Sequence, residues 1–145
     1  MLLGIGSQLR GDDAWSFSLL EALKRGAPPA VHTLWGATVP ENLLPIITRL
    51  QPRQVIVCDA GDLQMPAGSW RVLSSLDLAD EEMLSHRMPI KWLGLELEHR
   101  CACPVALLLV QPKQLEFSLQ LSPEVRSTVR RLARLICALW KQSSD

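Results

Sequence analysis

The chain has 145 residues, 48% of them apolar and 21% charged, with 15 basic and 15 acidic side chains and a formal net charge of zero. This length suits one domain, taken to span residues 1–145, with a sizeable buried core, and the charge balance leaves no global field to draw in nucleic acid or an anionic membrane. No apolar run reaches the roughly 20 residues of a membrane span, and the start, Met1-Leu2-Leu3-Gly4, has neither a basic leader nor a small-residue cleavage site, so neither membrane insertion nor a signal peptide is expected.

Short apolar runs alternate with amphipathic stretches, the pattern of an α/β sheet with helices packed on it. Residues 2–5 read as a first buried strand and residues 6–11 as a loop. Asp12 or Asp13 can cap the helix that follows, because a carboxylate accepts hydrogen bonds from the free N–H groups of a first turn. Phe17, Leu20 and Lys24 fall on one line of that helix, with Leu19 and Leu23 beside it. Gly26 ends it, and Pro28-Pro29 forbids continuation. A second strand is expected over residues 31–35. Pro40 suits the first turn of a second helix, whose apolar stripe is Leu43, Leu44, Ile47 and Leu50. Residues 55–58 are continuously apolar, as in a central parallel strand covered on both faces, and the run stops at Asp59.

Pro66-Ala67-Gly68 turns the chain into a strand over residues 70–73. Residues 74–85 are polar and acidic and predict no element. Ile90, Leu93 and Leu97 predict a helix after Pro89, and residues 105–110 another buried strand. Leu115, Phe117, Leu119 and Leu121 alternate with the period of a further strand. Ser122-Pro123 starts the final helix, lined by Val125, Val129, Leu132, Ile136 and Leu139, with Arg126, Arg130, Arg131 and Arg134 on its wet faces.

The cysteines, at 58, 101, 103 and 137, form no C-x-x-C pair and no disulfide framework. Cys101 and Cys103 offer a soft-metal pair, but small buried or loop thiols account for them more simply. A reduced, cytoplasmic domain is expected.

Three places carry candidate chemistry. In Gly11-Asp12-Asp13 helix capping alone explains one Asp but does not require two; spacing weighs a cap-only reading equally with one in which the second Asp faces a cleft. In Asp59-Ala60-Gly61-Asp62 a carboxylate follows a buried strand directly, which is costly unless it is paired, hydrogen-bonded or bound to metal. Ligands of open α/β sheets bind beyond the carboxyl ends of strands, where Asp13 and Asp59 both fall. His86, in Ser85-His86-Arg87-Met88-Pro89, joins them if its loop folds over the same cleft; His32 and His99 read as exposed. Two carboxylates and an imidazole suit a divalent transition metal and leave coordination positions open. The motifs G-x-S-x-G, H-E-x-x-H and G-x-x-x-x-G-K are absent. Gly4-Ile5-Gly6 lacks the third glycine of a dinucleotide fingerprint, and Cys58 lies inside an apolar strand with no His nearby in sequence.

Gly4-Ile5-Gly6-Ser7, Gly11-Asp12-Asp13, Val57-Cys58-Asp59-Ala60-Gly61-Asp62 and Ser85-His86-Arg87-Met88-Pro89 together resemble the hydrogenase-maturation endopeptidases. Pro40-Glu41-Asn42 and Val110-Gln111-Pro112 match the branch serving hydrogenase 3 of the formate hydrogenlyase type. The similarity runs through nearly the whole chain in the same order. It implies an α/β fold in three layers, a twisted, mostly parallel sheet of about five strands with helices on both faces. It also implies removal of a C-terminal extension from the nickel-loaded precursor of the [NiFe]-hydrogenase large subunit. Nickel is supplied by that substrate rather than held permanently. By position the metal-recognising residues are Asp13, Asp59 and His86, with Asp13 and Asp59 also the catalytic candidates.

The chain departs from the family at two places. An Asp-Gly-Gly-Thr or Asp-Gly-Gly-Ser loop reads Trp35-Gly36-Ala37-Thr38 here, and Gly36, Ala37 and Thr38 are the expected substrate-binding positions. Ser7 also replaces the usual Asn. The Trp35 change keeps two alternatives in view: a same-fold peptidase for another precursor, and a non-catalytic protein that binds a nickel site.

Overall fold

A computed structural model describes residues 1–26, 31–78 and 89–142. β1 (Leu2–Ile5), β2 (Thr33–Ala37), β3 (Val55–Ala60), β4 (Trp70–Leu73) and β5 (Val105–Val110) form one sheet in the order β2-β1-β3-β5-β4. All neighbours are parallel except β4, which runs antiparallel to β5 at one edge. The helices are α1 (Trp15–Gly26), α2 (Leu44–Leu50), α3 (Ile90–Cys101) and α4 (Pro123–Gln142). The mostly parallel α/β architecture expected from the sequence is therefore the one observed.

The central strands have no wet face, which is why their sequences are unbroken apolar runs rather than alternating ones. Leu2, Cys58, Leu108 and Val110 point into one core with Trp15, Leu19 and Leu23 of α1 and Val125, Val129 and Leu132 of α4. Leu3, Ile5, Val55, Val57, Leu107 and Leu109 point into the other, with Leu44 and Ile47 of α2 and Leu93 and Leu97 of α3. At Gly4 an added Cβ would lie 3.0 Å from Leu20 and 3.1 Å from the Trp35 ring, so the missing side chain lets α1 sit close to the sheet.

Two sequence expectations are corrected. The second strand begins at Thr33 rather than residue 31, because its register is set by β1: Leu2 pairs with Thr33, and the Leu2 N–H donates to the His32 carbonyl at 2.8 Å. Residues 115–121 form no strand; one bridge joins Arg10 and Ser118, and Leu115, Phe117 and Leu119 are exposed. Among the described residues their alternation has no partner strand or covering layer to turn it into a half-buried one.

From β1 the chain crosses by α1 to β2 on one side; from β2 it crosses by α2 to β3 on the other. The connections diverge between β1 and β3, which opens a crevice beyond the carboxyl ends of those two strands.

Candidate functional site

Asp13 is set by the turn that follows β1. Gly6 has φ +136°, and a Cβ there would lie 2.0 Å from the Asp13 carbonyl oxygen, so only glycine lets the chain fold back so tightly. Gly11–Ala14 then forms a 3-10 turn leading into α1. Asp13 is 5% exposed, and its Oδ2 accepts the Ser7 N–H at 2.8 Å.

Asp12 is fully buried and serves a different end. Its carboxylate accepts the N–H groups of Lys113 at 2.8 Å, Gln114 at 3.1 Å and Ser122 at 2.7 Å, and the Ser122 hydroxyl at 2.9 Å. Asp12 therefore spends its carboxylate on this arrangement and not on the first turn of α1. Asp12 clamps the segment joining β5 to α4, whose residues lie more than a hundred positions away.

Asp59 is the penultimate residue of β3 and half-buried. Its Oδ1 accepts the N–H of Ala60 at 2.8 Å. Gly4 pairs with Cys58 across β1 and β3, and Asp59 pairs with Leu109 of β5, so the carboxylate stands at the strand end beside β1. The neighbouring Cys58 thiol is pushed up to about 12, first by complete burial and then by the Asp59 charge. It stays neutral at physiological pH and is no nucleophile.

The loop after Asp59 is tied down by Gln111. The Gln111 Oε1 accepts the Leu63 N–H at 2.6 Å, its own N–H donates to Ser69 O at 2.8 Å, and its carbonyl accepts the Gly68 N–H at 2.9 Å. Sequence reasoning found Gln111 only as a family mark and assigned it no work. Glu41, in Pro40-Glu41-Asn42, is a second such residue: among the described residues its Oε2 is buried without a hydrogen-bond partner, a costly state for a carboxylate oxygen.

Gly36 is buried, and a Cβ there would meet Pro40 at 2.9 Å. Ala37 adopts φ +50°, and its carbonyl accepts the Gly6 N–H at 2.9 Å. Thr38 is exposed. Trp35 packs edge-to-face on Phe17 of α1 with ring centroids 5.3 Å apart, so the aromatic ring that stands where the family has an acid is half-buried against α1. His86 lies outside the described residues. Among the described residues, no three or more His, Cys, Asp or Glu side chains group as a metal site, and no helix is long and apolar enough to cross a membrane.

The geometry defines a doubly wound α/β domain with acidic side chains at the ends of adjacent parallel strands. A family model described as hydrogenase maturation protease matches residues 17–139. The hydrogenase 3 maturation protease of Escherichia coli K12 is 26% identical over 130 residues, covering 89% of this chain and 83% of that protein. The solution structure of the endopeptidase HycI from Escherichia coli superposes with a TM-score of 0.82 at 25% identity, covering 92% of this chain and 86% of the other. The crystal structure of the [NiFe] hydrogenase maturation protease HycI from Thermococcus kodakarensis KOD1 gives 0.87 at 23% identity, with 97% and 90% covered, and so shares the fold. The chain belongs to the hydrogenase maturation protease family. It is an endopeptidase of that family.

Proposed function

We propose that this protein removes the C-terminal extension of a [NiFe]-hydrogenase large-subunit precursor once nickel has been loaded, and that it reads the nickel through Asp13, Asp59 and His86. The observation that carries the reading is that Asp59 is the penultimate residue of β3 and Asp13 lies in the turn after β1, the two strands flanking the topological switch. His86 enters through the family resemblance alone. Nickel is part of the substrate. Carboxylate oxygen and imidazole nitrogen suit a divalent ion of this kind, and three protein ligands leave coordination positions for the precursor's own groups. An unloaded precursor cannot supply these metal–ligand bonds, so the metal acts as the selectivity test. Asp13 or Asp59 also serves as the base that activates water in an aspartyl-type hydrolysis. The Gly36-Ala37-Thr38 turn borders the peptide path, with Thr38 as its exposed side chain. The whole chain works as one peptidase domain in the cytoplasm, where its cysteines stay reduced.

The test is incubation with nickel-loaded precursor and mass measurement of the precursor's C-terminus. Loss of a C-terminal peptide is expected, and none from precursor lacking nickel; an unchanged mass after incubation with loaded precursor refutes the reading. Asp59→Asn and His86→Ala should each slow cleavage by about a hundredfold or more, the scale of losing a general base or a metal contact. A second reading, the same chemistry on a different precursor, draws on Trp35, whose ring occupies the position of the family's loop acid. Processing of some other nickel-loaded protein in preference to a hydrogenase subunit would favour it.

A further inference from the structure

Large apolar side chains stand out at the strand-end side of the molecule. Phe117 and Leu119 are 79% and 74% exposed, and Leu9 and Leu115 are 53% and 39% exposed. They come from two segments far apart in sequence that the fold binds together. The Ser118 N–H donates to Leu9 O at 3.0 Å, the Gly11 N–H to Ser118 O at 2.9 Å, and the Arg10 Nε to Leu115 O at 3.1 Å. Singly exposed leucines need no explanation, but a cluster of them beside a site marks a contact surface.

The cluster is held in place from beneath. The Asp12 carboxylate grips the segment at both ends, through Lys113 and Gln114 on one side and Ser122 on the other. The Asp12 N–H adds a bond to Gln114 O at 3.1 Å. A buried carboxylate engaged in this way fixes the apolar tip in one position, so little conformational freedom remains to be lost on binding.

The tip is also continuous with the candidate site. Ser7 opens the loop that carries Leu9, and its N–H lies on the Asp13 carboxylate. Asp12, which anchors the tip, is the residue before Asp13. The geometry points to this surface, formed by Leu9, Leu115, Phe117 and Leu119, as the place where the body of the precursor protein docks while its C-terminal segment enters the crevice. The inference rests on the function proposed above and deepens it: the partner is a folded protein with an apolar patch beside its metal site. An endopeptidase that must find one bond in one protein gains selectivity from contacts outside the crevice, and buried aromatic and aliphatic side chains at the centre of such contacts supply most of the binding energy.

The experiment compares the full-length wild type, a Phe117→Ser, Leu119→Ser double variant and Leu135→Ala, the last altering an exposed apolar residue on α4. Processing is followed against the concentration of nickel-loaded precursor, binding to the same precursor by sedimentation of mixtures, and self-association by sedimentation of each protein alone. In the double variant the half-saturating concentration should rise about tenfold or more with the maximal rate within about twofold, whereas Leu135→Ala should match the wild type. An unchanged half-saturating concentration in the double variant overturns the docking surface. So does a wild type that pairs with itself through the tip when disrupting the pair leaves precursor binding intact. If the wild type binds the precursor through the tip but releases no peptide, the docking surface stands and the proposed reaction fails. If it neither binds nor cleaves, both fail.

Discussion

Asp12 and Asp13 are adjacent in sequence but have separate partners in the fold, and the difference is measurable. Asp12 takes four donors from the β5–α4 segment, two of them from Ser122. Asp12→Ala leaves those donors buried or unpaired and should lower unfolding stability by about 3 kcal/mol or more in urea titration. Asp13→Asn keeps an acceptor for the Ser7 N–H and should cost less stability than Asp12→Ala in the same titration while slowing precursor processing. Trp35 packs on Phe17, so Trp35→Asp cannot simply restore the family's loop acid. It removes an aromatic contact and places a charge against α1, and should cost about 3 kcal/mol, read as a fall in the thermal midpoint. Ala37 is held at φ +50°, a conformation that disfavours a Cβ, and Ala37→Gly should gain about 1 kcal/mol in the same assay. The pairing of Asp13 with Ser7 and the burial of Trp35 leave no trace in spacing, because they arise from the turn at Gly6 and from a helix crossing the sheet.

At the scale of elements, the central strands and the helices with one clear apolar stripe are legible from burial, and the exposed edge strand β4 from the Pro66-Ala67-Gly68 turn before it. Residues 70–73 and 105–110 and the helix after Pro89 match β4, β5 and α3, and the central run at Val55 matches the start of β3. The second strand moved because hydrogen bonding to β1, not its own composition, decides where it starts. Residues 115–121 have strand periodicity, but alternation yields a strand only where a neighbour accepts its hydrogen bonds. The loop after Asp59 depends on Gln111, and Gln111→Leu should unfasten it. Exchange of the Leu63 amide hydrogen is expected to quicken about tenfold or more, while amides inside β3 and β5 keep their protection.

For the whole molecule, the sheet with helices on both faces creates two cores and an open end, and stability and function divide between them. Cys58, at the centre of one core, titrates near 9.0 when unfolded but is pushed up to about 12 in the fold. A raised folded value means that the stability it contributes is intact below pH 9 and is lost as the pH climbs from there towards 12. The slope should be about 1.4 kcal/mol per pH unit. Denaturation of wild type and Cys58→Ala from pH 8 to 11 isolates it: the difference between the two should shrink with rising pH, and a constant difference contradicts the assignment. By itself the amino-acid sequence determined the α/β class, most of the element positions and the candidate acids at strand ends, because burial periodicity and strand-terminal charge are local properties. The tertiary structure alone decided that Asp12 is a clamp, that Trp35 is packing, that Gln111 secures a loop and that the Leu9 carbonyl meets the Ser118 N–H. Those roles depend on partners up to about a hundred residues away, brought together only when parallel strands are laid side by side and their connections cross over the sheet.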